Sequence, residues 1–167
     1  GEAGWEITCA AADAACLYLA IVEAGAVPAG LNAQTSMRIE KRFLSMGHDI
    51  DADMTPVEAG LSFAVNWDSE FIGRDALLAR RYDEPGIRVV SLIFDDPDVV
   101  PIGGEPVYWG GRVVGQTTSA AFGYRVGAPV AIATISGDLE LSVGSVEVEV
   151  DIARAMTPAT VSLKAPL

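Results

Sequence analysis

The 167-residue chain is poor in the side chains that mark metal sites, disulfide frameworks and polyanion binding. It has one histidine, His48, so a multi-histidine metal site is impossible and zinc is disfavoured; no metal ligand is assigned. It has two cysteines, Cys9 and Cys16, at no CxxC spacing. Two thiols are too few for a disulfide framework, so a reducing, cytoplasmic setting is expected. Both read as small apolar core residues. Lys and Arg number 11 against 23 Asp and Glu, a net charge of −12. That balance argues against nucleic acid, whose phosphates need clustered cations. No apolar run reaches the length of a spanning helix, so no membrane partner is expected. No basic segment followed by an apolar stretch opens the chain, so no signal peptide is expected. The absent initiator Met leads to the expectation of a processed chain or a part of something longer. There is no GxGxxG, no GxxxxGK[ST] and no GxSxG.

What is present is greasy and acidic together: 50% of the residues are hydrophobic and only 20% charged. The first half reads as mixed helix and strand. Trp5–Cys9 alternates like a short strand, on which Glu2 and Glu6 would share one face. Ala10–Ala24 has helical spacing, with Asp13 in its first turn and Gly25 as its stop. Leu31–Phe43 reads as a second helix with a basic last turn. Gly47–Asp53 places Asp49, Asp51 and Asp53 at alternating positions. Counting Asp49 as position 1 of a calcium loop puts Met54 at 6 and Gly60 at 12, so the EF-hand pattern fails and a solvated turn is expected. Thr55-Pro56-Val57-Glu58 is a capping box with Pro at the first helical position. Leu61–Trp67 reads as a strand and Gly73–Arg81 as a third helix.

Pro85-Gly86 is the expected boundary, dividing the chain into residues 1–84 and 85–167. Beyond it come the Val/Ile-rich runs Arg88–Phe94, Pro106–Tyr108, Arg112–Thr117, Pro129–Ile135 and Val146–Ile152, separated by Gly, Pro and Asp. Gly110-Gly111 is a hairpin tip. Short strands with no long helix between them predict a small antiparallel barrel or jelly-roll-like module. The fold class is therefore α+β.

Several segments together resemble one family. Gly1-Glu2-Ala3-Gly4-Trp5-Glu6-Ile7 is similar to the G-E-x-G-[aromatic]-E-[aliphatic] signature of the folate-dependent glycine-cleavage T-proteins (aminomethyltransferases). Arg38-Ile39-Glu40 resembles the family's R-[LI]-E helix, and Met46–Ile50 its x-G-[HN]-D-[IL]. Thr55–Leu61 resembles T-P-x-E-A-G-L and Phe71–Leu77 resembles F-I-G-R-[DE]-A-L. Gly110–Ser119 resembles the hairpin G-x-x-V-G-x-x-T-S. The six lie in family order over essentially the whole chain.

The resemblance implies the C-terminal portion of a tetrahydrofolate-binding protein. Residues 1–84 would be the C-terminal part of a folate-binding α/β subdomain, and 85–167 the C-terminal barrel. Glu6 takes the place of the glutamate that contacts the pterin; one ionised carboxylate can accept two adjacent N–H donors. Phe63 takes the place of an aromatic that packs on the cofactor. Trp5 would add a wall, or serve as a core aromatic. Gln34 stands where T-proteins carry an Arg, four residues before Arg38, keeping hydrogen bonding and losing charge. That departure argues against a strict glycine-cleavage T-protein. It leaves the folate domains of sarcosine or dimethylglycine dehydrogenases, and folate-dependent O- or S-demethylases, as relatives. Arg38 is a ligand candidate, although Arg38 and Glu40 also read as residues that pair with neighbouring elements, and His48 as a loop-fixing partner.

The family's catalytic aspartate lies in a first half that would precede Gly1, so no catalytic residue is named and this chain alone is expected to be inactive. Expected partners are folate, a small methylated amine or related one-carbon donor, and the missing N-terminal half or a partner subunit. A non-catalytic module that keeps the fold is the competing reading. A piece of a three-subdomain fold would expose apolar surface meant for its other part. Arg38, Arg74 and Arg125 are the cations to consider for an anionic folate tail.

Overall fold

A computed structural model describes residues 3–82, 85–137, 139 and 146–167. Gly1 and Glu2, which open the first motif, lie outside the described residues, as do Asp83 and Glu84 before the expected boundary. The chain divides into two compact units, Gly1–Gln34 and Thr35–Leu167.

In the first unit a 3-10 turn, Ala11–Asp13, leads into helix α1, Ala14–Glu23. The helix stops where Gly25 adopts φ 103°. Gly25 N–H then donates to Val22 O and Ala26 N–H to Ile21 O, which satisfies two terminal carbonyls in a Schellman motif. The expected strand at Trp5–Cys9 does not form. Among the described residues it finds no neighbouring strand, and a single strand has no ladder to hold it. The thiols are a second correction: Cys9 and Cys16 are exposed, not core. No described residue of this unit is buried, although α1 is apolar over most of its circumference. Helix α2, Leu31–Glu40, begins in this unit and ends in the next.

The second unit is built on a closed antiparallel barrel in the order β1-β4-β3-β2-β5-β6, with β6 returning to β1. The strands are β1 Ile87–Phe94, β2 Pro106–Trp109, β3 Arg112–Gly123, β4 Ala128–Ser136, β5 Val146–Ile152 and β6 Ala155–Ser162. Every expected run is a strand, and closure removes the exposed edges that invite aggregation. The interior is filled by Val90, Leu92, Phe94, Val107, Ala131, Ala133, Ile135, Val148, Val150 and Val161. β1 and β4 read as nearly continuous apolar runs, interrupted by Ser91 and Thr134, because they are covered on both faces along most of their length. Their outward residues Val89, Val130 and Ile132 pack under Ile39 of α2. β5 faces water outside, so Glu147 and Glu149 alternate with Val148 and Val150.

Strand β6 has no counterpart among the expected runs. It contains Pro158, which reads against a strand. Pro158 is tolerated because it lies in the part of β6 that pairs with β5 alone; pairing with β1 starts at Ala159.

Two helical expectations shorten. α2 ends at Glu40 rather than Phe43, because Arg42 turns left-handed at φ 54°. Arg42 N–H donates to Ile39 O and Phe43 N–H to Arg38 O, a Schellman ending with Arg where Gly is usual. The guanidinium holds that conformation, donating to Val89 O and to Leu163 O. The third helix is Arg74–Ala79, entered from Gly73 at φ 87°. Thr55–Glu58 makes its capping box, with Thr55 Oγ1 to Glu58 at 2.7 Å and Glu58 N–H to Thr55 Oγ1 at 3.2 Å. It caps one turn only, which Gly60 ends at φ 70°. The expected strand at Leu61–Trp67 is a 3-10 turn at Ser62–Ala64. The Trp67 indole N–H folds back onto Ser62 O, which closes the segment on itself.

At the β3–β4 pairing Gly115 opposes Ile135, and a Cβ at Gly115 would stand 2.0 Å from Thr134 O. That neighbour is backbone and cannot step aside. Gly115→Ala should therefore cost about 2 kcal/mol or more and lower Tm by roughly 4–8 °C. A calorimetric Tm within about 1 °C of wild type would show that the strands separate freely there.

Candidate functional site

The second unit carries an open groove of ≈ 670 Å³ between the loop Gly47–Met54 and the barrel. His48, Asp51 and Asp53 line the loop side; Gln116, Thr118 and Ser136 line the barrel side. No Lys or Arg stands among its described lining residues.

The loop is fixed through one carboxylate. The turn is solvated as expected at Gly47, His48, Asp51, Ala52 and Asp53, but Asp49 is buried, which corrects the expectation for that residue. Its Oδ1 accepts hydrogen bonds from Thr118 Oγ1 and Ser119 Oγ, each at 2.6 Å. Its Oδ2 accepts from Arg38 Nη1 at 2.7 Å and from the Ser45 N–H at 2.8 Å. Arg38 Nη2 also donates to Ser119 Oγ at 2.7 Å, so the guanidinium bridges loop and barrel. In a regular strand Thr118 and Ser119 would face opposite sides. The β3–β4 register shifts between Thr117 and Ser119, and this bulge lets both hydroxyls reach one carboxylate.

Burial pushes the Asp49 carboxyl up. The hydroxyls of Ser119 and Thr118, the Ser45 amide and the Arg38 guanidinium together outweigh that and hold it below the ordinary carboxylate range. The sign follows: stabilisation from the ionised form is fully present above the unfolded-state value. It is lost as pH falls through the depressed folded value.

A second carboxylate, Glu40, ties α2 to the barrel. It is buried, and its Oε1 accepts the N–H groups of Arg125 and Val126 at 2.6 and 3.1 Å, in the turn after β3. Ser36 Oγ donates to Phe122 O at 2.7 Å beside it.

The residues expected to bind a ligand fall in both units. In the first, Trp5 is 95% exposed, and Glu6 and Gln34 are exposed. In the second, Phe63 is 85% exposed, whereas Arg38 is spent on Asp49, Ser119 and the Phe43 carbonyl. Glu40 acts within the fold, as its pairing interpretation expected; His48 is exposed on the groove. Arg74 turns its guanidinium onto Trp67 O, and Arg125 is exposed. The sequence reading missed Asp49, Thr118 and Ser119. The one signal for Asp49 was its place in the Gly47-His48-Asp49-Ile50 motif.

In the first unit exposed Glu6 offers a carboxylate able to accept N–H donors and Trp5 an uncovered ring face; in the second, Phe63 offers another. Each of these side chains, taken by itself, is chemically suited to a pterin.

Residues 1–69 match the family described as GCVT N-terminal domain, and residues 88–167 the Glycine cleavage T-protein C-terminal barrel domain. The chain is 35% identical over 167 residues to mitochondrial dimethylglycine dehydrogenase of Mus musculus, covering 96% of this chain and 19% of that one. It is 39% identical over 155 residues to the 4-methylaminobutanoate oxidase (formaldehyde-forming) of Paenarthrobacter nicotinovorans, covering 89% and 19%. Among solved structures, the glycine cleavage system aminomethyltransferase T from Bartonella henselae superimposes with a TM-score of 0.76 at 26% identity, covering 90% of this chain and 43% of that one. The chain thus spans about a fifth of the two curated relatives.

Asp49→Asn should cost about 2 kcal/mol at pH 7. Urea unfolding from pH 7 to pH 3 should show the gap to wild type narrowing at the acid end, where the carboxyl of the unfolded chain takes up a proton before the depressed native one does. A gap that stays constant to pH 3 would mean that the charge on Asp49 contributes nothing.

Proposed function

Because the chain belongs to the glycine-cleavage T-protein family, we propose that it is the C-terminal part of a tetrahydrofolate-dependent one-carbon transferase. The observation that carries this reading is the pair of family matches in tandem over most of the chain. In it, residues 1–84 complete a folate-binding subdomain and residues 85–167 form the barrel subdomain. The family performs folate-dependent one-carbon transfer; when bound, tetrahydrofolate supplies the nucleophilic nitrogen that receives the one-carbon unit.

The work of this chain is binding and orientation. Glu6 accepts the pterin N–H donors, Trp5 and Phe63 offer ring faces, and Gln34 adds an uncharged hydrogen-bonding group. Arg38 contributes by positioning the groove loop, since its guanidinium is already engaged. The groove presents carboxylates and hydroxyls, which suit an uncharged or cationic ligand better than an anionic folate tail. Exposed Arg125 is the better candidate for the tail. The catalytic aspartate belongs to an N-terminal half or partner subunit. The exposed apolar side chains of α1, among them Tyr18, Leu19 and Ile21, support the presence of such a partner.

A second reading has a specific observation behind it. Gln34 in place of the family's Arg, together with similarity to a dimethylglycine dehydrogenase and a methylaminobutanoate oxidase, favours the folate domain of an amine dehydrogenase or oxidase. The one-carbon donor would then be a small methylated amine.

Calorimetry of the full-length parent with tetrahydrofolate tests the reading. Glu6→Ala should weaken binding by about a hundredfold, the loss of two charge-assisted hydrogen bonds. Equal affinity of wild type and variant would remove Glu6 from the site, and no binding by wild type would remove folate.

A further inference from the structure

The loop Gly47–Met54 is held together from within. The N–H groups of His48 and Asp49 donate to Ser45 O, Gly47 N–H donates to Ile50 O, and Asp53 N–H donates to Asp51 Oδ1. Its attachment to the barrel is different in kind. Among the described residues, the hydrogen bonds from this loop to the barrel are those that Asp49 accepts from Thr118 and Ser119. The remaining hold is the apolar contact of half-buried Ile50 and Met54 with the cluster around Ile39 and Ile132. Such a contact is non-directional and lets the loop slide. Four donors converging on one carboxylate do not, because each fixes a direction.

We propose that Asp49 is a positioning residue that sets the groove: its bonds to the barrel bulge and to Arg38 hold the loop as a wall, and with it His48, Asp51 and Asp53 at the rim. The carboxylate touches no ligand in this role. It acts through the loop, which opens as a unit when the bonds are lost while the closed barrel stays folded. Arg38 has a distinct part, since it binds Asp49 and Ser119 together and so couples the end of α2 to the same clamp.

Hydrogen exchange on the full chain tests this. In wild type the amides of Gly47, Asp49 and Ile50, which are bonded within the loop, should be protected. Asp49→Asn should speed their exchange by about tenfold or more, the equivalent of at least one lost hydrogen bond to a charged group. The amides of β1 and β4 should keep most of their protection, because the closed barrel stays folded, and speed up by no more than the global loss of stability accounts for. The double variant Thr118→Val, Ser119→Ala, which leaves the loop sequence intact, should reproduce the loop effect. Strands that lose their protection together with the loop would make Asp49 a general stabiliser, and unchanged loop protection would remove the clamp; either overturns the proposal.

A binding arm rests on the folate reading. In the full-length parent, the double variant should weaken tetrahydrofolate binding severalfold if the groove is part of the folate channel. Failure of wild type to bind would sink the folate reading and leave the exchange result to decide the clamp.

Discussion

The second unit depends on buried carboxylates that substitute for continuous apolar packing between α2, its following loop and the barrel. Asp49 and Glu40 each take N–H or O–H donors from segments far away in the chain: Thr118 and Ser119 for one, Arg125 and Val126 for the other. Both are desolvated, and a desolvated carboxylate is tolerated only when its lone pairs are filled. Filling them forces the geometry. The loop must reach β3 where the bulge presents two hydroxyls, and the end of α2 must lie against the β3–β4 turn. Apolar contacts around Ile39 supply attraction between the same surfaces; the carboxylates supply register.

The barrel makes this arrangement possible by being rigid. Closure leaves each strand with two neighbours, and among the described residues the interior is filled by aliphatic side chains, mostly branched, with one aromatic, Phe94. A rigid wall turns the bulge in β3 into a fixed feature. Glu105 reinforces the same place from the other side. Its carboxylate accepts the N–H groups of Ile102 and Gly103 and the Thr117 hydroxyl, which anchors the loop before β2 next to the bulge.

Most of the barrel was legible in the sequence because its signal is local. Val/Ile runs between turn residues specify strands wherever the ladder is complete, and β1 to β5 obey that rule. β6 escaped because Pro158 is forbidden only where its missing N–H would be needed, a fact that depends on which neighbour it has. Asp49 escaped for a related reason. Beside Asp51 and Asp53 it looks like one of three wet acids, and its burial depends on hydroxyls about 70 residues away. Alternation even argued against it, since Thr118 and Ser119 share a partner only through a register shift. The first-unit helix was legible from Ala, Leu and a terminal Gly. The strand expected at Trp5–Cys9 was not confirmed, since alternation specifies a strand only when a partner exists.

The scarcity of cations takes on a structural meaning in this light. Arg38 is spent on Asp49 and Ser119, Arg42 on two backbone carbonyls, Arg74 on Trp67 O, and Arg81 lies over the Trp67 ring with its Cζ 4.4 Å from the centroid. Guanidinium suits these tasks because its planar fork can serve several acceptors at once. These cations fasten loops and the end of α2, and the acids that are buried, Glu40, Asp49 and Glu105, are filled by donors from the fold. The chain as a whole carries 11 Lys and Arg against 23 Asp and Glu, a net charge of −12. An anionic ligand meeting such a surface gains little from long-range attraction. Short-range groups held in place then matter more, and the loop beside the groove is held by its own buried acid.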